Sequence, residues 1–124
     1  MIQKEDVVRI EERTVGPVVV LDMAGKLVAG ESHGRLKDKI NSLMLQGRVQ
    51  IVLNLGEVSY IDSTGLGELV SSHSTVTRHG GHIKLLNLTK KVQDLMAICR
   101  LSTVFETFDS ETVALGSFVV VSSV

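Results

Sequence analysis

The chain is 124 residues long, enough for one domain that buries roughly two-thirds of the surface its extended form exposes. Its 13 Lys and Arg against 14 Asp and Glu leave a net charge of −1, so there is no basic footprint for nucleic acid or for an anionic membrane. Hydrophobic residues make up 44 % and aromatic ones only 3 %, which makes the core aliphatic, and the single cysteine, Cys99, excludes an internal disulfide and fits a reducing compartment.

Met1 to Asp6 read as a polar N-terminal arm without the pattern of a signal peptide. No apolar run approaches the roughly 20 residues needed to span a bilayer, so the expectation is a cytoplasmic protein with no membrane insertion. Val7 to Thr14 mixes β-branched and charged residues, Val15-Gly16-Pro17 reads as a turn, and Val18 to Met23 is a strong strand. These predict a hairpin with an exposed first strand. Gly25 to Gly30 reads as a loop, after which Leu36, Ile40, Leu43 and Met44 mark an amphipathic helix ending near Gly47. Arg35, Lys37, Asp38 and Lys39 form its polar face.

The apolar run Val49 to Leu55 has the length of a buried strand, and Gly56-Glu57 interrupt it. Leu66, Leu69, Val70, His73 and Val76 then recur at helical spacing, with Glu68, Ser71, Ser72, Ser74, Thr75 and Arg78 on the other side. After Gly80-Gly81 comes a strand from His82 to Leu88. Thr89 caps a helix from Lys90 to about Leu101, with Val92, Leu95, Met96 and Cys99 on its apolar face. Lys90 and Lys91 in its first turn oppose the helix dipole, at a cost of ~0.3–1 kcal/mol each. Val104 to Phe108 predicts a last short strand, and Asp109 or Ser110 caps a final helix carrying Val113, Ala114 and Leu115. An apolar tail, 119–124, follows Phe118. Strands alternating with helices after an opening hairpin predict one α/β domain over 1–124, with a mixed sheet of about five strands and about four helices.

The most informative stretch is Val58-Ser59-Tyr60-Ile61-Asp62-Ser63-Thr64-Gly65-Leu66-Gly67, where a strand-like run hands over to a helix. Asp62, Ser63 and Thr64 are all residues that cap free backbone N–H groups, and Gly65 tolerates unusual dihedrals. A helix start of small hydroxylated side chains is compatible with two roles at Ser63, a cap and a phosphoacceptor. A phosphate would bring roughly −1.5 to −2 charges to a helix N-terminus, where the dipole favours an anion.

This motif, with the order of elements around it from about Val18 to Phe118, resembles the STAS domain, and most closely the stand-alone bacterial anti-sigma factor antagonists. The resemblance implies that Ser63 is phosphorylated by a partner serine kinase that is also an anti-sigma factor, and that a PP2C-type phosphatase reverses it. Thr64 is a second candidate acceptor. Asp62, Ser63, Thr64, Gly65, Leu66 and Gly67 would form the partner-binding surface, with no cofactor in this chain. Two positions depart from the family pattern: Val28 follows the glycine–leucine pair where an aspartate is common, and Asn54 stands where the family often has Asp. Both would remove negative charge near the presumed interface.

Other readings are weaker. A serine-hydrolase elbow needs Gly-x-Ser-x-Gly, and Ser63 lacks that frame. His79-Gly80-Gly81-His82 has no Cys, Asp or Glu beside it to complete a metal site. His73 reads as a core histidine, and Cys99 as a small hydrophobe. The main alternative function is a scaffold or assembly subunit of a larger signalling particle or transport system without a phospho-switch. Self-association into a homodimer stays open.

Overall fold

A computed structural model of the chain describes residues 7–30 and 33–118. The arm at 1–6 and the tail at 119–124 lie outside them. The described elements are β1 (Arg9–Val15), β2 (Val18–Leu27), α1 (Arg35–Leu45), β3 (Gln50–Ile61), α2 (Ser63–Arg78), β4 (His82–Leu86), α3 (Lys90–Ile98), β5 (Thr107–Phe108) and α4 (Glu111–Gly116). The sheet runs β1-β2-β3-β4-β5, antiparallel across the opening hairpin and parallel from β2 onwards. The expected mixed α/β sheet is therefore the observed one.

Strand order that follows chain order, with right-handed crossovers, sends α1, α2 and α3 to one face. The alternation of side chains agrees. Val19, Leu21 and Met23 of β2, Ile51, Leu53 and Leu55 of β3, and Ile83 and Leu85 of β4 meet Leu36, Ile40 and Leu43 of α1, Leu69 and Val76 of α2, and Val92 and Met96 of α3. The intervening Val18, Val20, Val52 and Leu86 face the other way, onto Ala114 and Phe118. Burial on both faces explains why these strands read as continuous apolar runs.

Several boundaries differ from the sequence expectation. Gly25-Lys26-Leu27 belongs to β2, not to a loop, and Gly56-Glu57 lie inside a twelve-residue β3. Both strands continue because their pairing shifts register at Asp22/Ala24 and Gly25/Lys26, irregularities that absorb the glycine positions without ending the ladder. β4 stops at Leu86, and β5 has two residues only. Cys99 is exposed at the end of α3 and is not on its apolar face. Glu68 and Ser72 of α2 are buried where a polar face was expected, because the helix packs against α1 as well as the sheet.

On the second face the short α4 is tethered by charge. Arg13 of β1 donates to Asp22 through Nε (2.5 Å) and to Glu111, in the first turn of α4, through Nη2 (2.7 Å). Buried Lys84 donates to the carbonyl (3.1 Å) and hydroxyl (2.9 Å) of Ser117, with its ammonium 4.5 Å from the centroid of the Phe118 ring. Hydrogen bonds from Arg13 hold the carboxyls of Asp22 and Glu111 below their ordinary range, against the opposing effect of partial burial. A depressed carboxylate stabilises the fold above its unfolded pKa of about 4, and this contribution fades as pH falls through the folded value. The pairs are about one-third exposed, so screening limits them. Arg13→Gln is expected to lose about 1 kcal/mol of unfolding free energy at pH 7. The gap to wild type should close by pH 2–3, as read by urea denaturation at both pH values.

Candidate functional site

β3 ends at Ile61, and α2 begins two residues on. Asp62 is the N-cap, in extended conformation, with Oδ1 accepting the Gly65 N–H at 2.9 Å. Its Oδ2 accepts the Ala29 N–H at 3.0 Å, and its own N–H donates to the Leu27 carbonyl at 3.2 Å. One aspartate thus closes the helix start and fastens it to the chain leaving β2. Burial pushes the Asp62 carboxyl up, but N–H groups of Ala29, Gly65 and Thr64 together hold it below its ordinary value.

Because Asp62 does the capping, Ser63 is not used as a cap. It occupies the first helical position, is exposed, and makes no side-chain hydrogen bond among the described residues. Thr64 is half-buried beside it. Of the six residues expected to form a partner surface, Ser63 and Gly67 are exposed, Asp62 and Thr64 are partly so, and Gly65 and Leu66 are turned inward.

The two glycines differ in cause. A Cβ on Gly65 would stand 2.0 Å from the Leu27 carbonyl oxygen, so the close approach that compensates for a helical glycine is internal, from the end of β2. A Cβ on Gly67 would meet nothing. Its flat surface opens on a groove between the starts of α1 and α2, lined by His33, Lys37, Thr64, Glu68 and Ser71. Glu68 was not singled out in the sequence as a site residue. Its Oε1 accepts the Gly34 N–H at 3.0 Å, closing the start of α1, which has no side-chain cap of its own. The signal was present in outline: α1 follows a glycine with no Ser, Thr, Asp or Asn at the capping position.

The positions singled out as departures separate. Val28 lies between Leu27 and Ala29, both bonded to Asp62, so it borders the site. Asn54 does not. It lies farther back in β3, where its amide donates to Asp22 at 2.8 Å and its Oδ1 accepts the Gly56 N–H at 3.2 Å. No histidine is hydrogen-bonded to Ser63 among the described residues, and His82 contacts Gln50 at 2.9 Å. His73 is half-buried, its ring edge-on to Phe105 at 5.1 Å. Among the described residues no group of three or more His, Cys, Asp or Glu is arranged for a metal, and no helix is long and apolar enough to cross a membrane.

The mixed five-stranded sheet with its four helices is consistent with the α/β fold of a STAS domain. The chain belongs to that family: the STAS domain description matches residues 9–114. The anti-sigma-B factor antagonist of Bacillus subtilis is 37 % identical over 83 residues, 64 % of this chain and 75 % of the relative. Protein TM1081 of Thermotoga maritima superposes with a TM-score of 0.80 at 24 % identity, covering 86 % of this chain and 92 % of its own. Phosphorylated SpoIIAA of Bacillus superposes with a TM-score of 0.69 at 21 % identity, covering 87 % and 97 %.

The geometry at this turn sets the stability expected of three variants. Gly65→Ala should lose about 2–3 kcal/mol in urea denaturation, because the new methyl forces the helix away from Leu27. Gly67→Ala should gain about 0.5–1 kcal/mol from helix propensity in open space. Asp62→Ala is expected to lose about 1–2 kcal/mol at pH 7. Its gap to wild type should shrink below about pH 4, since the depressed carboxylate contributes only while ionised.

Proposed function

We propose that this protein is an anti-sigma factor antagonist whose activity is binding, switched by phosphorylation of Ser63. The unmodified chain binds an anti-sigma factor that is also a serine kinase, in the cytoplasm, and so releases a sigma factor. The kinase transfers phosphate to Ser63, binding ends, and a PP2C-type phosphatase restores the hydroxyl. ATP and Mg²⁺ are the kinase's requirements and not this chain's.

The observation that carries this reading is the division of labour between Asp62 and Ser63. Asp62 takes the capping hydrogen bond, leaving the Ser63 hydroxyl exposed and without structural duty among the described residues. Modification there costs the fold little, since an anion at a helix N-terminus meets a favourable dipole. A partner packed over the same spot meets the opposite balance. The dianion must be desolvated, and it lies next to the Asp62 carboxylate, whose charge is already committed to the Ala29 and Gly65 N–H groups. A loss of ~3–4 kcal/mol corresponds to several hundred-fold in affinity, sufficient for a switch. The curated relative named as an anti-sigma-B factor antagonist supports the same role.

The test is a quantitative pull-down from native lysate with wild type, Ser63→Ala and Ser63→Glu, joined to phosphosite mapping of the wild-type chain. Wild type and Ser63→Ala are expected to retain a serine-kinase anti-sigma factor, Ser63→Glu to retain at least tenfold less, and phosphate to map to Ser63. Equal retention by all three would overturn the switch and favour the assembly-subunit reading.

A further inference from the structure

The first turn of α3 carries two lysines against the helix dipole, and their surroundings differ. Lys90 is neutralised within its own helix by Asp94, at 2.8 Å. Lys91 has no carboxylate partner among the described residues; its ammonium lies 4.9 Å from the centroid of the Tyr60 ring. That ring, near the end of β3, is 43 % exposed, and farther along α3 Ile98 is 78 % exposed. Lys91, Leu95 and Ile98 fall at i, i+4 and i+7, on one face of the helix. With Tyr60, Ile61, Val92 and Asp94, whose carboxylate is paired with Lys90, they line an apolar groove. Large aliphatic and aromatic side chains left together on a surface mark an interaction site more often than scattered ones do.

We propose that this groove is the second half of the docking surface for the anti-sigma factor, and that it receives an apolar side chain flanked by a carboxylate. The assignment rests on the partner-binding reading of the Ser63 turn. Continuity supports it: Tyr60 precedes Ser63 by three residues, so the two lie within about 11 Å along the chain. Charge selects the occupant. Lys91 adds an unneutralised ammonium to the positive end of a helix, a field that attracts an acidic group and repels a basic one. Phe118, the last described residue, packs on the opposite face of the sheet against Val18, Val20, Val52 and Leu86. The division of roles is also chemical. The hydroxyl end of the surface is where charge is added and removed, while the Tyr60–Leu95–Ile98 end holds the apolar contact that gives the partner its grip.

The test is titration of the serine-kinase anti-sigma factor that the unmodified chain retains, purified, against full-length variants. Ile98→Asp and Lys91→Glu are expected to weaken binding at least about tenfold, and Val113→Asp, at a 59 % exposed position on the opposite face, to stay within about twofold. Far-UV circular dichroism and melting temperature should match wild type for all three. Rising salt should weaken wild-type binding, and Lys91→Gln should flatten that dependence. If Ser63→Glu abolishes binding while Ile98→Asp and Lys91→Glu bind as wild type, the groove assignment falls and the switch stands. If sedimentation shows a dimer that Ile98→Asp dissolves, the groove belongs to a second copy and the assignment also falls. If the unmodified chain retains no such factor, the functional reading fails and the groove assignment with it.

Discussion

The Leu27 carbonyl accepts the Asp62 N–H at 3.2 Å and lies so close to Gly65 that no larger residue fits without movement. This junction between the end of β2 and the start of α2 fixes the rest of the site. Asp62 can reach the Ala29 N–H because β2 ends where it does, and Ser63 faces outward while Gly65, in the same first turn, is pressed against the end of β2. A residue tied to its helix and to a loop through its carboxylate, and to a strand through its backbone N–H, is a rigid mount for its neighbour.

A second carboxylate extends the same mount. Glu68, one and a half turns into α2, closes the start of α1 through the Gly34 N–H. Two helix starts are therefore satisfied from a single helix, and α1 and α2 pack closely enough to bury Glu68 and Ser72 between them. Among the described residues the buried Glu68 Oε2 and Ser72 Oγ atoms have no hydrogen-bond partner.

Much of this was legible in the residues. The apolar runs at Val18–Met23 and Val49–Leu55, the helical spacing from Leu66 to Val76, and the caps Thr89 and Ser110 all appear in the fold, the caps bonded to the Val92 and Val113 N–H groups. What was not legible depended on neighbours distant in sequence. Gly25 and Gly56 read locally as breaks, yet pairing with an adjacent strand carries the ladder past both. Glu68 and Ser72 read as solvent-facing because periodicity cannot say that a helix has two packed sides. At the site, the motif located the turn but could not assign its duties: Asp62, Ser63 and Thr64 are equally good caps by type, and only the path of β2 selects Asp62. Cys99 was placed on an apolar face by extending α3 one turn too far.

The strands lie in the sheet in the order in which they occur in the chain, and this bears on how the protein could diversify. The hydrogen bonds that hold the Ser63 turn join Leu27, Ala29, Asp62, Gly65 and Leu66. Later elements reach back to earlier strands elsewhere: α3 lies beside Tyr60 and Ile61 of β3, and α4 is tethered to Arg13 of β1. Among the described residues the hydrogen bonds of the turn thus fall within 27–66, and the side chains of α3 and α4 take no part in them. Exposed positions of α3 and α4 can therefore change without disturbing the bonds that keep the hydroxyl in place.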